Sequence, residues 1–164
     1  MSLAISKQKI YEMLVEEISQ TIARLTKGYL ATCDAAIKAQ GRMESRYDTI
    51  KEEQSKLADV IGMQVYEQRE RLRLLQYFWS ITTVTTGTVI GPGSLVVVEA
   101  ENQEKVYFLI ESGGGCIFEL EGHEVNCISI QAPLARSLIG HTQGEIVEMK
   151  IGGRKRLLTV KSLQ

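Results

Sequence analysis

At 164 residues, 44% of them hydrophobic, the chain is long enough to bury a core and fits one domain or two small units. Twelve basic and eleven acidic side chains precede residue 81 and seven and nine come after it, so the halves carry +1 and −2 within a net charge of −1. Neither half has the positive excess that autonomous binding to a DNA or RNA backbone requires. No apolar run of about 18 residues reads as a membrane span and no charged-then-apolar leader opens the chain, so the expectation is a cytoplasmic protein.

From Lys7 to about Gln76 there is no proline, and glycine occurs only at Gly28, Gly41 and Gly62. Tyr11, Leu14, Ile18, Leu25 and Thr32 recur at helical steps, with Val15, Ile22 and Tyr29 widening the stripe. Farther along, Gly28, Ala31, Ala35, Ala36 and Ala39 form a seam of small residues that predicts close approach of a partner helix. After Gly41 a second stripe runs through Tyr47, Ile50, Leu57, Ile61, Val65, Leu72, Leu75 and Trp79, with Gln54 and Gln68 at interior steps. Two amphipathic helices, about 7 to 39 and 45 to 78, joined by a short polar turn, predict an antiparallel hairpin or coiled coil over residues 1–80. Gly41 is expected at its tip, with Glu44 or Ser45 opening the second helix. Trp79, Tyr77 and Phe78 are expected to seal the hairpin to the C-terminal half of the chain.

Beyond Thr82 the pattern turns to period two and β-branched residues. Strands are predicted at Ser94–Ala100, Lys105–Ile110, Cys116–Leu120, Val125–Ile130, Glu145–Ile151 and Arg154–Leu163, with turns at Glu101–Glu104, Gly122-His123 and Gly152-Gly153. Gly113-Gly114-Gly115 has no helix after it and no lysine, so it reads as a flexible connector rather than a phosphate loop. Arg154-Lys155-Arg156 reads as a charged strand edge. Residues 81–164 therefore form a small antiparallel sheet domain with one short helix, and the chain is α+β. Cys33, Cys116 and Cys127 are odd in number and lack CxxC spacing, which favours buried small side chains over a disulfide or metal framework. His123 and His141, each beside a glycine, have no companion ligands nearby, and no metal site is assigned.

The one helix comes from Ile128-Ser129-Ile130-Gln131-Ala132-Pro133-Leu134-Ala135-Arg136-Ser137-Leu138-Ile139-Gly140. Proline suits a first helical turn and Gly140 a left-handed stop. Leu134, Leu138 and Ile139 are expected on its buried face. This stretch resembles the C-terminal signature of the Gre-type bacterial transcript cleavage factors, and Tyr47-Asp48-Thr49-Ile50-Lys51-Glu52-Glu53-Gln54 is similar to the start of that family's second helix. The order of hairpin and sheet domain resembles the family over nearly the whole chain. The resemblance implies an FKBP-like C-terminal fold that docks on core RNA polymerase at the rim of its secondary channel, and a hairpin that enters the channel. Pro133, Leu134 and Arg136 would face the polymerase, although Arg136 reads equally as a solvated helix residue.

In the family a Gly-Asp-x-x-Glu-Asn tip presents carboxylates to a catalytic magnesium ion of the polymerase, where a metal-activated water attacks the RNA phosphodiester. Here Arg42 comes directly after Gly41, and Met43 and Arg46 stand where family glutamates would be. Glu44 and Asp48 are the candidate catalytic carboxylates, one helical turn apart, although the reading as acids favouring the positive end of a helix is preferred. Arg42, Glu44, Arg46, Tyr47 and Asp48 are the candidate partner-binding residues of the tip. The residues leave three readings open. The first is a polymerase-binding regulator with weak or no cleavage activity, itself neither enzyme nor cofactor carrier and associated with nucleic acid only indirectly. The second is an active cleavage factor using Glu44, Asp48 and the polymerase magnesium. The third is a prolyl isomerase or chaperone, disfavoured because such a site needs an aromatic-lined pocket and Tyr107, Phe108 and Phe118 are the only Phe, Tyr or Trp residues of 81–164.

Overall fold

The computed structural model describes residues 5–38, 44–82, 88–151 and 154–164. In chain order they form α1 (Lys7–Lys38), α2 (Glu44–Thr82), β1 (Leu95–Ala100), β2 (Gln103–Ile110), β3 (Cys116–Leu120), β4 (His123–Ser129), α3 (Pro133–Leu138), β5 (Ile146–Ile151) and β6 (Arg154–Leu163). The chain divides into two compact units: Val15–Arg73, and a second comprising the residues to Leu14 together with Leu74–Gln164.

The first unit is a helical hairpin. A connection of five residues between α1 and α2 is of the length that joins antiparallel helices in an αα-hairpin. Gln54, Ala58, Ile61, Val65, Gln68 and Leu72 of α2 are all shielded and alternate steps of four and three residues, the spacing of a coiled-coil seam. In α1 the shielded Ile18, Thr21, Leu25, Gly28 and Thr32 run in the same rhythm. Leu57, expected on the seam, is 48% exposed and its neighbour Ala58 is 8% exposed, because the heptad rhythm selects position 58 and the larger side chain is left outside. The small-residue seam is also corrected: Ala31 and Ala35 are exposed, and a Cβ added at Gly28 would meet nothing within 4 Å. At Gly62 a Cβ would lie 3.5 Å from the Tyr29 ring, an ordinary side-chain contact. Ile18, Ala58 and Val65 are the buried hydrophobic residues of this unit among those described, so little apolar burial opposes local opening of the hairpin.

The second unit is a six-stranded sheet in the order β3-β4-β2-β1-β6-β5. It is mixed rather than antiparallel, because β2 and β4 pair in parallel. The chain leaves β2, runs β3 out along the sheet edge, and brings β4 back between the two. Gly113, Gly114 and Gly115 make this possible with φ of 82°, 127° and 86°, a region that L side chains avoid. The expected connector thus has a specific shape. Gly115 donates its amide to the Cys127 carbonyl at 2.9 Å, and a Cβ on Gly114 would sit 2.8 Å from the Ser129 nitrogen. Gly114→Ala is therefore expected to cost about 2 kcal/mol or more from left-handed strain and a backbone clash, measured as a shift of the denaturant midpoint. An unchanged midpoint would show that the segment re-routes freely.

Two-residue turns join two of the antiparallel hairpins. Glu101-Asn102 has φ of 52° and 62°, and Glu121-Gly122 has 54° and 79°, shorter than the polar turn expected at 101–104 and one residue earlier than Gly122-His123. Such left-handed pairs match the twist of the flanking strands. The turn expected at Gly152-Gly153 lies outside the described residues.

Both sheet faces are covered. Leu95 and Val97 of β1, with Val106, Phe108, Ile110, Val125 and Cys127, pack with Ile5, Ile10 and Leu14, while Leu75 and Trp79 lie against the same cluster. Tyr11 stacks on Trp79 with ring centroids 4.4 Å apart and planes at 8°. Tyr77, expected to share this sealing role, is 57% exposed. On the opposite face Val96, Val98, Leu109, Leu158 and Val160 pack with Ile90, Ala135, Leu138, Val147 and Met149. Burying each such aliphatic side chain contributes about 1.5–3 kcal/mol. Lys155 and Arg156 lie beyond the last β1 partner of β6, Thr159, and pair instead with Glu148 at 2.9 Å and Glu101 at 3.6 Å.

Candidate functional site

The Pro133 segment is a surface feature mounted on a rigid base. Ile130 donates its amide to the Ile110 carbonyl at 2.8 Å, extending the parallel β2–β4 ladder to the threshold of α3. The chain then turns: the Ala132 amide bonds to the Ser129 carbonyl at 2.8 Å and the Gln131 amide to Ser129 Oγ at 3.2 Å. Ala132 is the extended N-cap and gives no side-chain cap, with proline immediately inside the helix. Proline lacks the N–H that such a cap would satisfy.

Ala135 and Leu138 are fully buried and anchor α3 to the sheet, with Leu134 packed at the margin of the same cluster. Ile139, expected on that face, is 37% exposed. It is the C-cap with ψ of 133°, so its side chain no longer follows helical rotation, and Ala135 takes the inward position. Gly140 then adopts φ of 89° and donates its amide to the Ile90 carbonyl at 3.0 Å, while the Ile90 amide bonds to the His141 carbonyl at 2.8 Å.

Pro133, Arg136 and Gln131 are exposed. Arg136 Nη2 donates to Gln131 Oε1 at 3.3 Å, so the guanidinium leans back over the turn preceding its own helix and keeps most of its donors available to a partner. Gln131 was not singled out by sequence reasoning. Only the folding of the turn reveals that it orients Arg136.

A second polar group missed by sequence reasoning closes the loop after α3. His141 Nδ1 lies 2.5 Å from Glu145 Oε2, and Thr142 Oγ1 donates to Glu145 Oε1 at 3.1 Å. Hydrogen bonding from His141 first, and then from Thr142, holds the Glu145 carboxyl below its ordinary range. Among the described residues no group of three or more His, Cys, Asp or Glu side chains is placed to hold a metal ion. No described helix is long and apolar enough to cross a membrane.

The tip candidates fall elsewhere. α2 opens at Glu44, so Ser45 lies inside the first turn rather than before it, and Glu44, Arg46, Tyr47 and Asp48 occupy the helix's opening residues. Arg42 and Gly41 lie outside the described residues. The structure thus brings Pro133, Leu134 and Arg136 together on α3 and places positions 44 to 48 in the hairpin unit.

Residues 85–164 match the family described as transcription elongation factor GreA/GreB, C-terminal domain. None of the curated proteins matches the chain. Among solved structures, GreA factor homolog 1 (Gfh1) of Thermus thermophilus shares 16% identity over 92% of this chain and 94% of that one, with a TM-score of 0.36. Gfh1 of Thermus aquaticus shares 16% over 91% and 92%, at 0.37. A GreA/GreB elongation factor of Nitrosomonas europaea shares 25% over 49% of this chain and 64% of that one, at 0.36.

Proposed function

We propose, from the match of residues 85–164 to the GreA/GreB C-terminal family, that the chain is a divergent Gre-type transcription elongation factor and that it works by binding core RNA polymerase. In this reading the sheet domain supplies the affinity, through Pro133, Leu134 and Arg136, and the hairpin of α1 and α2 enters the secondary channel. The tip residues Arg42, Glu44, Arg46, Tyr47 and Asp48 then meet polymerase groups near its active site. Association with DNA and RNA is indirect, any magnesium involved is the polymerase's own, and the protein acts in the cytoplasm.

The observation that carries the reading is the mounting of α3. Two fully buried residues, Ala135 and Leu138, fix a short helix whose outer side offers proline and a guanidinium held by one neutral hydrogen bond. A rigid apolar corner beside an arginine is the kind of surface from which interface anchors are built. Such a contact loses little conformational entropy on binding.

Immobilised core polymerase is expected to retain the full-length protein at low salt and to release it as salt rises. Arg136→Glu combined with Pro133→Ala should weaken binding about tenfold or more, as loss of a central arginine anchor does. Its melting temperature should stay close to that of the parent, because both side chains point to solvent. Failure of the parent protein to bind at low salt would remove the basis of the proposal.

A further inference from the structure

The fold sets two of the three cysteines directly opposite each other. Cys116 of β3 and Cys127 of β4 are register partners in an antiparallel pair, and both are thiols. Cys127 is 1% exposed within the apolar cluster on the helix-covered sheet face. Cys116 is partly exposed and packs against the same cluster. The two side chains therefore share one face of the sheet.

Directly opposed residues in such a pair hold their Cβ atoms about 4.5–5.5 Å apart, and a disulfide needs about 3.5–4.5 Å. Closing the bond asks for an approach of roughly 1 Å. β3 is the edge strand and has β4 as its one neighbour in the sheet, so it can make that movement without breaking a second ladder. The strand cannot slip out of register as it does so. Gly115 is tied to the Cys127 carbonyl at 2.9 Å, and Gly114 passes so close to Ser129 that a Cβ would not fit.

We propose that Cys116 and Cys127 form an oxidant-responsive dithiol whose co-substrate is a hydroperoxide. The Cys116 sulfur, as thiolate, attacks one peroxide oxygen; an S–O bond forms, the O–O bond breaks, and the released oxygen takes a proton and leaves as water or alcohol. The Cys127 sulfur then attacks the Cys116 sulfenic acid. An S–S bond forms, the S–O bond breaks, and the hydroxyl leaves as water with the proton of the Cys127 thiol. The two sulfurs together lose two electrons and the peroxide gains them. A bridge of this kind closes a loop of about 12 residues in the unfolded chain and fastens the sheet edge to its neighbour. A slightly strained cross-strand bridge is also the readily reduced kind.

The test is to expose the reduced full-length protein to hydrogen peroxide, remove the peroxide, and measure intact mass and linked peptides. The wild type and a Cys33→Ser variant should both lose two hydrogens, give a peptide pair joined at Cys116 and Cys127, and recover both hydrogens with dithiothreitol. In Cys127→Ala the reaction should stop at a sulfenic acid on Cys116, captured by dimedone. Should Cys127→Ala fail to melt cooperatively, the Cys33→Ser arm decides alone. A bridge that includes Cys33, or a Cys33→Ser protein that keeps both thiols until they pass to higher oxides, would overturn the proposal.

Discussion

A chain cut to residues 81–164 is expected to lose its cooperative melting transition, although this range contains every strand of the sheet. The cut removes Ile5, Ile10 and Leu14, which are 3%, 0% and 0% exposed, from the cluster on one sheet face. It also removes Leu75 and Trp79, which pack against that cluster, and Tyr11, which stacks on Trp79. Truncating one buried Leu or Ile to Ala costs about 2–5 kcal/mol, whereas a whole domain is stable by only about 5–15 kcal/mol. Loss of three such side chains and an aromatic pair reaches that total. Leu14→Ala in the full chain should lower stability by about 2–5 kcal/mol and leave a folded protein. A fragment of 81–164 that melts as sharply and as late as the parent would show that the first turns of α1 are dispensable to the sheet. The same reasoning makes point variants of the full chain the sound way to measure polymerase contact.

That dependence was only partly legible in the sequence. The two helices were readable because they lack proline and carry periodic apolar residues, and the strands because they alternate. Which residues of a stripe face inward was not, since rhythm and size disagreed. At 57 and 58 the eye goes to leucine, and the coiled-coil spacing takes alanine. Ile139 looked buried by helical rotation, but the helix has already ended there. Pairing in the sheet was hidden for a different reason. Hairpin signals report neighbours in sequence, whereas the parallel contact of β2 with β4 is set by the three left-handed glycines that carry the chain past it. The short helix that carries Pro133, Leu134 and Arg136 was legible because proline and glycine punctuate it; the contact of Gln131 with Arg136 was not, because the turn that brings them close has no residue pattern of its own.

In backtracked elongation complexes the protein is expected to release short 3′ RNA fragments about a hundredfold or more slowly than an authentic cleavage factor, a loss comparable to misplacing a catalytic group by about 1 Å. The reason lies in the tip sequence. Holding a metal-bound water against a phosphodiester needs hard anionic oxygen ligands, and the residue after Gly41 is the cation Arg42. In the proposed channel position, a guanidinium where the family carries a carboxylate would reverse the local charge that meets a magnesium ion. Arg46 adds a second positive charge in the first turn of α2. Glu44 and Asp48 are the remaining carboxylates, and a first turn of a helix places acids there for its own stability. The assay compares the wild type, Arg42→Asp and Glu44→Ala/Asp48→Ala, with fragment release monitored on stalled complexes. An inactive wild type that still competes with an authentic cleavage factor is the expected result, because occupancy of the channel does not require the metal-directed acid. Partial activity in Arg42→Asp would locate the defect in charge; continued inactivity would locate it in tip geometry as well. Strong cleavage by the wild type that disappears in the double alanine variant would reverse the assignment and make Glu44 and Asp48 the working carboxylates.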